Sequence, residues 1–352
     1  MNSTMKAAVY YGPRDLRIEN VSLPEIGPND ILLKVKYCGI CGSDVHSYGT
    51  GLYINKGQIM GHEFSGEVVK VGKNVQGIQA GERGTGFYAG VCGTCYWCKN
   101  HQYTLCPDLF KNSTGYGQPG AFAEYVRIPN AIAGVSFHHL PDEIDDITAA
   151  TIEPVSVSAY TVELCQPKAG DQVVVMGAGL IGNTVMQVFK ASSVEKAIVT
   201  EVSELRLQAA IQSGADLVIN AAKENVVEGL KDITGAGPYH FNEGAMADIV
   251  VDAAGAPSAV EQSFEIVRSG GTIAFVGLPE KKAQIDTTKI VHKMPRIIGA
   301  LGGNFLSSIS LLKEGKVKTR HLISHTFPIR HAKEAFETQM DPHQSVKVMI
   351  EF

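Results

Sequence analysis

Gly177-Ala178-Gly179-Leu180-Ile181-Gly182 stands between an apolar run, Val173-Val174-Val175-Met176, and a stretch of helical spacing from Leu180 to Ala191. A buried strand, a glycine turn and a helix in that order restrict the fold more than any other feature of the chain. The pattern then repeats. Strand-like Ala197 to Thr200 precedes a helix from Leu205 to Ser213 that ends at Gly214. Leu217 to Ile219, Ile249 to Val251 and Thr272 to Val276 read as further strands, with a helix near 258–268 between the last two. Repeated strand–helix units predict an α/β fold with a doubly wound parallel sheet. Glycines so spaced suit a tight turn, a close backbone approach to a pyrophosphate and close helix packing, the fingerprint of dinucleotide binding. The next strand ends in Glu201, twenty-four positions after Gly177. A carboxylate there accepts both ribose hydroxyls and repels a 2′-phosphate, so NAD is favoured over NADP. Arg206 has two readings: a contact to adenine or a phosphate, or a solvated helix face.

With 352 residues the chain exceeds one ordinary core, and two domains are expected. The part before about residue 155 differs in character. Ala7 to Tyr10, Ile31 to Val35, Gly66 to Gly72 and Ala121 to Val126 read as strands, with turns at Gly12-Pro13 and Gly27-Pro28-Asn29-Asp30. Helices are few there, one starting at 145–150 and running into Thr151-Ile152-Glu153-Pro154. From about residue 300 come a few helices and a strand-like stretch, Ser345 to Ile350.

Chemistry concentrates in the first part. Cys41-Gly42-Ser43-Asp44-Val45-His46 is followed by Gly61-His62-Glu63. A lone Cys or His is more often a packing residue than a ligand. Together these motifs offer a thiolate, an imidazole and a carboxylate, which suit zinc with an open fourth position. Ser43 and His46 suit a proton path away from the metal, and Glu153 is a candidate to close the site. A second set, Cys92-x2-Cys95-x2-Cys98-x7-Cys106, can wrap one tetrahedral zinc with no open position, a structural site. Similar spacings occur around iron–sulfur clusters; the company of the other motifs favours zinc. The intervening residues lack a core of their own and need the metal to order them.

These blocks together resemble the medium-chain, zinc-dependent alcohol and polyol dehydrogenases, on the sorbitol (L-iditol) and butanediol dehydrogenase branch, over essentially the whole chain. Gly61-His62-Glu63-x2-Gly66-x5-Gly72-x2-Val75 matches the family's zinc signature, and the four cysteines match in spacing. Ile152-Glu153-Pro154-Val155-Ser156-Val157 resembles the polyol branch, where simple alcohol dehydrogenases carry a third ligand cysteine. The resemblance implies a GroES-like β-barrel catalytic domain (1–155 and 299–352, with the zinc lobe at 92–106) and a Rossmann NAD-binding domain (156–298), the active site lying between them. It implies Cys41, His62, Glu63 and Glu153 around a catalytic zinc, either glutamate binding directly or through water. Ser43 is then the contact to the alcohol oxygen, with His46 further along the proton path by way of the nicotinamide ribose. Gly177, Gly179, Leu180, Ile181, Gly182, Glu201 and Arg206 are implied to hold NAD, and Val276 and Ala300 the nicotinamide carboxamide through their backbones. Two departures stand out. His101 occupies a usual glycine position, and Gly84 replaces the valine of a Gly-Asp-Arg-Val turn. Cys38 and Cys165 are read as packing residues, and His138, His139, His292 and His321 as surface or structural.

The expected activity is hydride transfer between NAD and a secondary alcohol, a polyol, diol or sugar derivative, with two zinc ions per chain. The alternatives are L-threonine, a sugar-alcohol phosphate or a primary alcohol as substrate. From another class, the alternative is a non-catalytic NAD-binding redox sensor or structural protein. The net charge of −5 gives no footing for nucleic acid. No apolar run approaches the roughly 18 residues of a membrane span, and the opening Met1 to Lys6 lacks a signal-peptide core. A cytoplasmic homo-oligomer, dimer or tetramer, is the expectation.

Overall fold

In the computed structural model, which describes residues 3–279 and 281–352, the chain divides between Glu153 and Pro154 and again between Leu322 and Ile323. Met1 and Asn2, part of the opening stretch read above, lie outside the described residues. One unit runs to Glu153 and takes in Ile323–Asp341 and Lys347–Phe352; the other is Pro154–Leu322 with Pro342–Val346. The second boundary corrects the sequence reading, which put 299–352 with the catalytic part. Residues up to 322 stay with the parallel sheet because Arg296–Gly299 hydrogen-bonds to its edge and Asn304 donates to Ser156 O at 3.0 Å.

The first unit is built on the strand Ile31–Gly39, which has neighbours on both sides. Glu63–Val71 and Lys347–Glu351 pair with it antiparallel, and Tyr125–Ile128 pairs with its first half. Ile323–Pro328 adds beyond Lys347–Glu351, while Arg83–Gly86 and Phe137–His139 extend the opposite side. A separate hairpin, Thr4–Gly12 with Asp15–Ser22, reaches the rest through the bridges Ala7 to Ala123 and Val9 to Ile59. Alternation puts Ile31, Leu33 and Val35 into one core with Phe64, Phe122 and Phe137, all buried. Gly84 finds its reason here: a Cβ would stand 2.0 Å from Phe137 Cε2, so the ring takes the room a valine would need. His101 does hold φ +59°, the left-handed backbone suited to glycine.

The second unit carries six parallel strands in the spatial order Leu217–Asn220, Lys196–Glu201, Gln172–Met176, Ala247–Asp252, Val267–Phe275, Arg296–Gly299. Numbered along the chain that is 3-2-1-4-5-6, the doubly wound dinucleotide-binding order. Val173, Val174 and Val175 are wholly buried, as a strand covered on both faces requires. Helices Leu180–Ala191, Glu204–Gln212 and Pro257–Ile266 fall where the periodicity put them. The helix Val226–Thr234, the hairpin Ala236–Tyr239 with Asn242–Ala245, the helix Thr287–Lys293 and the strand Arg296–Gly299 had no place in the sequence reading. The hairpin is short and rich in Gly, Ala and Pro, so alternation carries no signal there. Among the described residues no helix is long and apolar enough to cross a membrane.

Candidate zinc centres and dinucleotide site

Cys41 is the N-cap of a helix, Gly42–Thr50, that the sequence reading did not anticipate. Its backbone N–H donates to Asp44 Oδ2 at 3.0 Å, and the helix stops at Gly51 with φ +76°. A capping-box-like Cys-x-x-Asp was the available signal. Opposite, Gly61 holds φ +97°, with no room for a Cβ, which would come 2.9 Å from both Cys38 Sγ and Phe122 N. That turn delivers His62 and starts the strand Glu63–Val71. Cys41, His62 and Glu63 then bring one sulfur, one ring nitrogen and one carboxylate oxygen within 4.8 Å of one another.

His62 and Glu63 are buried. His62 Nδ1 has no hydrogen-bond partner; Asp44 Oδ1 lies 3.7 Å away, beyond hydrogen-bond reach, and opposes its charge. A buried imidazole gathered with a thiol and a carboxylate is the donor set that a borderline-soft cation such as zinc satisfies. Burial pushes the Asp44 carboxyl up, against the pull of His62. Glu63 has a partner that sequence reasoning missed. Lys347 Nζ donates to Glu63 Oε2 and, at 2.8 Å, to Ile40 O, and both side chains of the pair are buried. Gly39 leaves room for them: a Cβ there would meet Glu63 Oε2 at 2.4 Å and Lys347 Cε at 2.8 Å. The signal was a lysine inside the apolar run Val346 to Ile350, on a strand whose neighbours are buried.

Glu153 is not in the gathered group. It sits in the first turn of the helix Ile152–Cys165, and burial pushes its carboxyl up to about 7, with His62 pulling the other way. The structure therefore brings together three of the four ligands expected for the catalytic zinc. Ser43 Oγ is 3.1 Å from Tyr116 OH, while His46 stacks on Tyr53 with ring centroids 6.0 Å apart. Among the described residues Ser43 makes no hydrogen bond to His46, and the hydroxyl beside it is one that the sequence reading had not singled out.

The four lobe cysteines bring their sulfurs within 4.8 Å of one another, and none is in a disulfide. Backbone amides already point at them: Cys92 N–H to Cys106 Sγ at 3.3 Å, Cys95 N–H to Cys92 Sγ at 3.3 Å, Cys98 N–H to Cys95 Sγ at 3.5 Å. The Thr94 and Cys95 amides pull the Cys92 thiol down to about 6, and burial pushes Cys98 up to about 12. Four sulfurs with amide donors form a closed thiolate cage, which fits a structural zinc. Cys38 and Cys165 are buried and stand outside both groups. Among the described residues His138, His139, His292 and His321 join neither; His321, for one, bonds Ser213 Oγ at 2.7 Å.

In the other unit each glycine of the turn has a distinct physical reason. Gly177 holds φ +99°; a Cβ on Gly182 would lie 1.8 Å from Gly177 O; a Cβ on Gly179 would meet only Arg206, at 3.9 Å. The last leaves open space over the start of the helix Leu180–Ala191, whose first amides and dipole favour a phosphate. Leu180 and Ile181 supply its first turn. Arg206 Nε is tied to Ser345 O at 2.9 Å, which fixes the guanidinium beside that turn. Glu201 is more engaged than expected. Its carboxylate accepts Ala178 N–H at 2.8 Å, Val202 N–H at 2.7 Å and Ser203 N–H at 3.0 Å. Of a carboxylate's roughly four acceptor sites, about one remains for a ribose hydroxyl. Val276 and Ala300 follow two strands at their carboxyl ends, and both N–H groups are used, to Asp252 O at 3.0 Å and Phe275 O at 2.9 Å. The carbonyl is what each can offer a carboxamide.

Glu201→Ala removes the acceptor of three amides as well as the ribose partner. NADH affinity, read by fluorescence titration, is expected to fall by at least about tenfold, with discrimination against NADPH relaxed. A wild-type protein that binds NADPH more tightly than NADH contradicts the assignment.

Comparison with known proteins gives the same picture. The family description "Alcohol dehydrogenase GroES-like domain" matches residues 27–141 and "Zinc-binding dehydrogenase" matches 181–314. The chain is 31% identical to the sorbitol dehydrogenase of Bacillus subtilis (strain 168), over 98% of this chain and 97% of that one. It is 32% identical to the L-threonine 3-dehydrogenase of Rhizobium johnstonii, over 99% of both. Two solved structures are each 29% identical, with TM-score 0.88 and 100% of both chains covered: an alcohol dehydrogenase of Escherichia coli CFT073 complexed with NADH and a Sinorhizobium meliloti 1021 protein bound to NADP. With the parallel sheet in its 3-2-1-4-5-6 order and the two groups of zinc-type donors, these similarities make the chain a member of the zinc-dependent alcohol and polyol dehydrogenases, an oxidoreductase that works with zinc and NAD.

Proposed function

We propose that the protein oxidises a secondary alcohol carrying further hydroxyls, a polyol, diol or sugar derivative, with NAD as hydride acceptor. The observation that carries this reading is the gathering of Cys41, His62 and Glu63 with Ser43 two residues from the thiol. Cys41, His62 and Glu63 hold the catalytic zinc, with Glu153 nearby to complete its shell through water; Cys92, Cys95, Cys98 and Cys106 hold the structural one. When bound, zinc supplies Lewis acidity to the alcohol oxygen and NAD supplies the hydride acceptor. The chain's own residues position the groups and move the proton. Ser43 receives it from the substrate hydroxyl, and His46 stands further along its exit. Asp44, 3.7 Å from His62 Nδ1, opposes the charge of that ring, and Lys347 holds the charge of Glu63 in balance. The glycine turn and Glu201 seat the dinucleotide, with NAD preferred to NADP. The cell compartment we propose is the cytoplasm, and the assembled form a homo-oligomer.

The test is NAD reduction by zinc-replete protein over a panel of polyols, diols and matched mono-alcohols, with L-threonine included because one relative bears that name. Turnover with polyols or diols that stops on chelation and returns with zinc is the expected result. Turnover with L-threonine alone replaces the substrate class, and activity indifferent to chelation removes the metal from the reaction.

A further inference from the structure

Tyr116 lies seventy-three residues from Ser43 in the chain, yet its hydroxyl is 3.1 Å from Ser43 Oγ. The loop that carries it is tightly tied. Tyr116 N–H donates to Ser113 O at 3.1 Å, Gly117 N–H to Phe110 O at 3.1 Å and Gln118 N–H to Ser113 O at 3.0 Å. Glycines let it close on the ligand turn: a Cβ on Gly115 would lie 2.6 Å from Gly61 O, and one on Gly120 2.3 Å from the same atom. Gly61 immediately precedes His62, so the loop is held in register with that ligand. As a result the Tyr116 ring stacks on the His62 imidazole, centroids 5.0 Å apart and planes 27° apart, while Phe110 meets it edge-on at 5.0 Å. A ring fixed on two sides presents its hydroxyl in one place.

We propose that Tyr116 is a further positioning residue of the site, its hydroxyl paired with that of Ser43 so that two hydroxyls, in place of one, meet the substrate. The proposal rests on the alcohol dehydrogenase reading above and assigns a residue to its substrate selectivity. Each hydroxyl has one donor and two lone pairs. The bond between them uses one proton and one lone pair, so the pair still has one proton to give and lone pairs to receive. A mono-alcohol engages Ser43 alone. A vicinal diol in a staggered gauche form has its oxygens about 3 Å apart, close to the 3.1 Å between Ser43 Oγ and Tyr116 OH. The reacting hydroxyl then meets Ser43 and its neighbour meets Tyr116.

Tyr116→Phe keeps the ring on His62 and removes only the hydroxyl. The experiment compares the zinc-replete wild type and this variant on butan-2-ol and on each stereoisomer of butane-2,3-diol, with zinc content measured alongside. For the diol isomer preferred by the wild type, kcat/KM is expected to fall about tenfold, the value of one hydrogen bond, and for the mono-alcohol by no more than about twofold. Zinc content is expected to stay unchanged. An equal loss on both substrates, or no loss on either, overturns the proposal and leaves Tyr116 a packing residue. A wild type that oxidises neither alcohol nor any polyol of the wider panel instead overturns the functional reading, and this proposal with it.

Discussion

Cys98→Ser is expected to release one zinc ion per chain and to leave residues 92–106 open to protease. The reason is what the lobe lacks. Its buried cluster consists of Cys98, Cys106 and Leu109, with Val91, Cys92 and Cys95 against them. Its larger apolar side chains face outward: Tyr96 is 68% exposed, Tyr103 48% and Leu105 50%. Regular structure there amounts to a four-residue helix, Tyr96–Lys99, and a single 3-10 turn, Tyr103–Leu105. Burial cannot hold such a segment, because the apolar area withdrawn from water is too small to offset its ordering entropy. Structural zinc in comparable small sites contributes on the order of 10–16 kcal/mol, which exceeds any other single interaction available here. Serine keeps the shape and removes a soft anionic ligand. Metal analysis should show one zinc fewer than wild type, and limited proteolysis should cut inside 92–106. Unchanged zinc content together with unchanged protease resistance would show that the cysteines hold the lobe without metal. In the wild type, mild chelation is expected to abolish activity before that zinc is lost, since one centre offers four sulfurs and the other one sulfur with harder ligands.

Lys347→Met should cost the metal-stripped protein about 3–5 kcal/mol, because it leaves the Glu63 carboxylate buried without its counter-charge. Burial alone would pull the Lys347 ammonium down; Glu63 and Cys41 outweigh that and hold it above its ordinary value. The two side chains face each other in a place where water cannot substitute. Adding Glu63→Gln to Lys347→Met removes the orphaned charge, so the double variant is expected to recover much of the loss. Zinc held by Cys41, His62 and Glu63 as proposed would be a second cation beside that carboxylate, and loading it should shrink the penalty of the single variant. The measurement is the urea midpoint of each variant with and without zinc. A Lys347→Met protein as stable as wild type in the stripped state would mean that the ion pair has no structural weight.

Much of this molecule could be read from linear order, and the reason lies in distance along the chain. The four lobe cysteines fall within fifteen positions, and their sulfurs meet because the loop between them can do little else. The glycine turn follows its strand and opens its helix within ten residues; Gly177 answers a positive φ and Gly182 a clash with Gly177 O, both inside that same turn, while Gly179 keeps the space over the helix start open. Glu201 ends the neighbouring strand, so its approach to Ala178 follows from strand order. The change of periodicity read after about residue 155 falls close to the break at 153–154. The break at 322–323 was not legible, because the sheet's last strand, Arg296–Gly299, is four residues long and too short to carry a pattern.

What the sequence determined by itself is therefore the chemistry that neighbours in the chain can assemble: two sets of zinc-type donors and a dinucleotide turn. What only the tertiary structure decided is who stands beside them. Lys347 reaches Glu63 across 284 positions because two strands flank Ile31–Gly39 and its last glycine leaves room for both side chains. Tyr116 reaches Ser43 across seventy-three because glycines let its loop close on Gly61. Neither pairing leaves a local pattern, since periodicity and spacing report only which residues share a face, while a partner on another element is chosen by sheet register and by the absence of a Cβ in the space between.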